Sequence, residues 1–169
     1  METQVSELRQ ALYRGDRDAA DTLRAAGAEV NVFDAAALGD VGRLRALLDI
    51  DPALTHEWSA DGFTALHFAA YLGGADAVRV LIEAGSDPRA VARNDMRVQP
   101  LHSAAALGDV AACELLLQAG ADPNATQQGG FVPLDEALIT KNEPLAELLC
   151  AHGAQLSGSP LPTNPRCFI

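Results

Sequence analysis

The side chains best suited to chemistry are the histidines His67 and His102, the cysteines Cys113, Cys150 and Cys167, and an arginine row at Arg89, Arg93 and Arg97. A histidine can act as a general base or hold a metal. His67 and His102, however, occupy the same slot in two similar segments, TALH and QPLH, and that recurrence points to structural duty rather than catalysis. His56 and His152 have no recurrent counterpart, and no H-E-x-x-H spacing exists, so a metal site is unsupported and no cofactor is expected. Cys113 and Cys150 lie beside apolar runs and read as buried, inert thiols. Cys167 is third from the end, where a prenylation box needs it fourth. The glycine pairs Gly73-Gly74 and Gly129-Gly130 lack the strand and lysine of a phosphate loop, and no G-x-S-x-G elbow is present. With no assembled catalytic set, an enzyme is the remotest reading.

Composition narrows the class. A chain of 169 residues has the length of one domain. It is 49% apolar but only 5% aromatic, with alanine prominent, which suits short, closely packed helices. The net charge of −11 repels phosphate backbones, so nucleic acid is not expected as a partner. The same charge favours solubility or a basic partner surface. The segment METQVSELRQ has no continuous apolar stretch, and no apolar run of 18 residues occurs. Neither a signal peptide nor a membrane span is expected, which leaves the reducing cytoplasm.

The elements that would position these side chains are repeated. Leu66 and Leu101 are 35 residues apart, Leu101 and Leu134 are 33 apart, and Gly85, Gly120 and Gly153 keep the same two intervals. Within a unit, 12 residues separate the glycine between two helical stretches from the glycine that ends the second, as in Gly15/Gly27, Gly73/Gly85 and Gly108/Gly120. Asp51 replaces the second glycine after Gly39, and Lys141 replaces the first before Gly153, which brings the number of units to five. The best-formed unit is Asp61 to Pro88. Its Thr64 is placed to cap a helix, Leu66, Ala69 and Ala70 share one face, and Val78, Leu81 and Ile82 share a face of the next helix. Gly85 and Pro88 stop that second helix. Helices of two or three turns are unstable alone, so stacking on neighbouring units must hold them.

TALH, QPLH and VPLD follow a T-P-L-H tetrapeptide, and GADPN at Gly120–Asn124 follows a glycine-rich ending. The chain resembles the ankyrin-repeat family over roughly residues 5 to 156. The resemblance implies an all-α solenoid of helix-turn-helix units joined by short β-hairpin fingers, in which His67 and His102 tie helix starts to neighbouring fingers. The expected domain covers 1–156, with units at about 6–29, 30–60, 61–95, 96–128 and 129–156. Residues 157–169, SGSPLPTNPRCFI, read as a flexible tail. Gly27 to Val32 is too short for a finger between units one and two. Counted against the other units, Asp34 falls where they carry Phe68 or Ser103. The fingers after units two and three are longer than standard, and Val132 replaces the capping Thr64 in unit five, with Asp135 placed to compensate.

Three features suggest where a partner would bind. Arg89, Arg93 and Arg97 recur at every fourth residue, either as a docking site for acidic groups or as solvated partners of Asp87 and Asp95. Trp58, Phe63, Met96, Val98 and Phe131 fall on or beside finger tips. The inner helices align Asp34/Leu38, Phe68/Leu72, Ser103/Leu107 and Glu136/Thr140 in one stripe, with Tyr71 at its edge. In the family such a groove is the usual contact surface. The expected function is therefore non-enzymatic: a protein-protein interaction module, acting as a monomer, that binds a partner through the groove and finger tips. The alternative is an acidic decoy that covers a basic surface of another protein.

Overall fold

Side-chain caps decide where most helices begin. In the computed structural model, which describes residues 4–158, Ser6 accepts from the Arg9 amide at the start of α1 (Glu7–Tyr13), and Asp16 from the Ala19 amide at α2 (Arg17–Ala25). Asn31 opens α3 (Val32–Leu38) and Asp40 opens α4 (Val41–Ile50). A short 3-10 turn, Pro52–His56, follows and precedes α5 (Ala65–Phe68), which continues as a π-turn over Ala69–Gly73 into α6 (Ala75–Glu83). Next come α7 (Pro100–Leu107) and α8 (Val110–Gln118), the latter capped by Asp109. The last pair is α9 (Pro133–Ile139) and α10 (Glu143–Ala151), capped by Asn142. Pro100 and Pro133 occupy first-turn positions, where a missing N–H costs nothing.

The ten helices of the described residues pack as five consecutive pairs. α1, α3, α5, α7 and α9 stack as an inner row, and α4, α6, α8 and α10 stack behind them. Leu8, Phe33, Leu66, Leu101 and Leu134 fill the core, one from each inner helix, each 2% exposed or less. Burying one such leucine contributes about 1.5–3 kcal/mol, so the stack rests on this ladder of nearest-neighbour contacts. Fully buried alanines between them, such as Ala36, Ala70 and Ala105, let adjacent inner helices come close. The closest approach is at Gly73, where an added Cβ would stand 2.0 Å from the Ala36 carbonyl oxygen. The π-turn belongs to this contact: Gly74 donates its amide to the Ala69 carbonyl at 2.8 Å, and the left-handed residue shifts to Gly74 (φ 81°).

The β-hairpin fingers are not borne out: the described residues contain no strand. The connections carry isolated backbone bonds instead of ladders. Ala92 N donates to Val98 O at 2.8 Å, Arg93 N to Gly62 O at 2.8 Å, and Gln128 N to Met96 O at 2.9 Å. Single bonds fix a loop to its neighbour without the consecutive pairing that defines a sheet. Two capping expectations also resolve. α9 has no side-chain cap, and Asp135 accepts the Val132 amide at 2.9 Å as His67 accepts that of Thr64. The Thr64 hydroxyl meets His67 Nδ1 at 2.8 Å rather than a backbone amide. The tail expected at 157–169 falls almost wholly outside the described residues.

Candidate binding groove

A row of buried polar side chains supports the inner helices. Counted from each helix cap, the third helical residue is Arg9, Asp34, His67, His102 and Asp135, and every one is buried. His67 Nδ1 accepts the Thr64 amide at 3.3 Å, and its Nε2 lies 3.1 Å from the Val98 carbonyl. Acceptance at Nδ1 sets the tautomer, so Nε2–H donates to Val98. His102 repeats the arrangement, with the Gln99 amide at 3.2 Å and the Ala125 carbonyl at 2.9 Å. Burial pushes the His67 pKa down to about 4, against a smaller upward pull from the bond to Val98. Burial lowers His102 as well. Both nitrogens of each ring are engaged, so neither imidazole offers an open position for a general base. Burial, aided by Asp109, raises the Cys113 thiol to about 12, which removes the thiolate that a nucleophile would need.

At the N-terminal end the same slot holds charges. Arg9 Nε lies 3.1 Å from Asp34 Oδ1, and both side chains are fully buried. The guanidinium sits 5.4 Å from the Phe33 ring centroid and 5.0 Å from that of Phe68. Ser6 Oγ donates to Asp34 at 2.6 Å. The hydroxyls of Tyr13 and Ser59 both donate to Asp61, which stands 3.9 Å from Arg9 Nη1. This cluster corrects the register of Asp34. Five residues separate Asp34 from Gly39, against six from His102 to Gly108, so counting back from glycine misplaces Asp34 by one. Counting forward from the cap puts it in the histidine slot. Only the short segment 26–31 joins the first two helix pairs, and in this slot the long Arg9 side chain reaches the neighbouring carboxylate instead of a loop carbonyl.

Above this row lies an apolar groove of about 390 Å³, bounded by the inner helices on one side and the loops on the other. Of the residues expected to bind a partner, Phe63, Phe68, Tyr71, Met96 and Val98 line it. Phe68 and Val98 are buried and form its floor, whereas Tyr71 is 45% and Met96 50% exposed at its rim. Phe63 packs edge-on to Phe68 at 5.7 Å between centroids. Tyr13, Ser103, Ala106 and Gln127 complete the lining, together with His67 and His102. Tyr13 escaped the sequence reading, yet it stands seven residues after Ser6 as Tyr71 stands seven after Thr64. The cap-based register therefore contained the signal.

The remaining candidates separate from the groove. Leu72 packs against the core, and Leu107 is exposed on α7 outside the groove lining. Phe131 is half-buried, with its ring beside Gly129. Trp58 lies beneath Arg93, whose guanidinium carbon is 4.1 Å from the ring centroid. The arginine row does not act as one unit. Arg89 Nε donates to the Gly120 carbonyl at 2.6 Å, and Asn124 does the same to Gly153 at 3.0 Å; both residues follow an Asp-Pro pair. Arg89 is thus a staple between consecutive units. Its Asp87 accepts the Arg89 backbone amide at 2.8 Å rather than a guanidinium. Arg93 and Arg97 flank a second, open cleft that also includes Asn94, Asp95 and Gln128.

No group of three or more metal-ligating side chains occurs among the described residues. Likewise, no helix among them is long and apolar enough to cross a membrane. A stretch of 66 residues is 41% identical to a probable E3 ubiquitin-protein ligase of Oryza sativa subsp. japonica. It represents 38% of this chain but only 15% of the rice protein. A family model described as ankyrin repeats, in three copies, matches residues 8–127. That match takes in well over half of the sequence and agrees with the paired helices and the buried histidine slot, and the chain belongs to the ankyrin-repeat family.

Proposed function

We propose that this protein is a non-catalytic scaffold or regulator that docks one segment of a partner protein in the apolar groove. Ankyrin repeats are protein-protein interaction modules, and the family is generally non-enzymatic. The observation that carries the groove reading is the exposure of Tyr71 and Met96 above a floor of Phe68 and Val98. Side chains that stay half in water on a preformed apolar wall gain most when a partner covers them. A standard interface of ~800 Å² per side would draw on several helix pairs at once.

The test replaces Tyr71 and Met96 together with serine and measures affinity for a partner isolated with the native chain. The double variant is expected to lose binding at an unchanged melting temperature, while Arg79→Ser on the outer helix α6 keeps it. Full affinity in the double variant would remove the groove from the proposal. An affinity that collapses as salt rises would instead favour the acidic-decoy reading, because exposed charge pairs are screened and apolar burial is not.

A further inference from the structure

Arg97 combines three properties that call for a ligand. Its backbone is left-handed, at φ 52°, a conformation that glycine adopts without strain. Its guanidinium makes no hydrogen bond or ion pair among the described residues, whereas Arg9, Arg24, Arg45 and Arg89 all reach acceptors in the chain. It also lines the open cleft together with Arg93 in a chain of net charge −11. Two exposed guanidinium groups that share one cleft, neither of them bonded to a carboxylate among the described residues, give an anionic group a place to dock.

The backbone beneath this pair is fixed before any ligand arrives. Arg93 N donates to Gly62 O, and an added Cβ on Gly62 would stand 2.8 Å from the Arg93 carbonyl oxygen. Asn94 Nδ2 donates to Asp61 O at 2.9 Å, and its Oδ1 accepts the Met96 amide at 3.1 Å. Stacking on Trp58 orients the Arg93 guanidinium and leaves its hydrogen-bonding edge available. A guanidinium oriented in this way loses little freedom on binding, and either arginine can take a carboxylate through two parallel bonds. Asp95 lies in the same cleft and limits the net attraction, which favours short-range pairing over general attraction of polyanions.

Met96 and Val98 line the groove, and Arg97 between them lines the cleft. One extended segment crossing this loop would meet both surfaces. We propose that the Arg93–Arg97 cleft binds the carboxylate side chains of an acidic partner segment whose adjacent bulky apolar residue enters the groove. This assignment rests on the groove reading above and adds the charge of the partner.

The experiment titrates the full isotope-labelled chain, by NMR, with three synthetic peptides that share a Phe-Leu core and carry flanking glutamates, serines or lysines. The glutamate peptide is expected to shift the Arg93 and Arg97 side-chain Nε–H signals along with Tyr71 and Met96, and to bind about tenfold tighter than the serine peptide. Arg97→Gly, which also relieves the backbone, should reduce glutamate-peptide affinity to the serine level while the melting temperature holds or rises. Equal affinity of the glutamate and serine peptides, or an unchanged affinity in Arg97→Gly, overturns the carboxylate site and leaves the groove intact. If no peptide moves Tyr71 or Met96 at millimolar concentration, the groove reading fails with it. A single-stranded oligonucleotide that shifts both arginines as strongly as the glutamate peptide would also refute an acidic protein segment as the ligand.

Discussion

Arg9 Nε and Asp34 Oδ1 stand 3.1 Å apart with no solvent exposure, and they join the first two inner helices directly. A buried charge that loses its partner keeps its desolvation penalty. Arg9→Ala and Asp34→Ala are therefore each expected to cost about 3–5 kcal/mol. The double variant should cost clearly less than the two together, because the pair acts as one unit. Urea denaturation of the three variants measures this, and simple additivity would show that the two residues act separately.

His67 predicts how stability responds to acid. Its folded pKa of about 4 lies below the ordinary histidine value of 6.5, so the unfolded chain binds more protons between those values. Stability from the neutral, buried ring is fully present above pH 6.5 and is lost as pH falls towards 4, by an amount on the order of 3 kcal/mol. His102 shifts in the same direction. Denaturation midpoints measured from pH 7 to 4 should fall less steeply in His67→Gln than in the native chain. Parallel curves would mean that His67 is not the group that titrates.

Two glycines with superficially equal roles should respond differently to a methyl group. At Gly73 an added Cβ would sit 2.0 Å from the Ala36 carbonyl oxygen, which is backbone and cannot rotate away. Gly73→Ala is expected to cost about 3 kcal/mol by forcing the second and third inner helices apart. Gly85, at φ 92°, has nothing within 4 Å of that position, so Gly85→Ala should cost only about 1–2 kcal/mol of backbone strain. Thermal melts of both variants test the ranking, and equal losses would contradict it.

Arg89 should behave as a staple. Arg89→Ala removes the bond to Gly120 and is expected to lower stability by about 1 kcal/mol while leaving partner affinity unchanged. Calorimetry reads the first effect and a binding titration the second. A fall in affinity at full stability would return Arg89 to the docking surface.

Much of the fold was legible because short helices need punctuation. Ser6, Asp16, Asp40, Asp109 and Asn142 cap helices through their own side chains, and such residues announce themselves in sequence. The groove was half legible: Phe68, Tyr71 and Met96 followed from the helical register and the loop position. Tyr13 was missed because the first helix pair carries Arg9 where the other units carry aspartate or histidine. The β-hairpin fingers failed for a different reason. A loop's length and turn residues do not say whether its backbone bonds run in consecutive pairs or fall singly between neighbours.

Taken by itself, the sequence determined the repeat and the number of helix pairs among the described residues, because these depend on periodicity and local chemistry. Only the tertiary structure decided the fate of each charged side chain. Arg9, Arg89, Arg93 and Arg97 are the same residue type, yet one is buried between two phenylalanines, one staples a carbonyl, one stacks on tryptophan and one stands in an open cleft. A guanidinium finds its acceptor across tens of residues of chain, and that distance closes only when the helices stack.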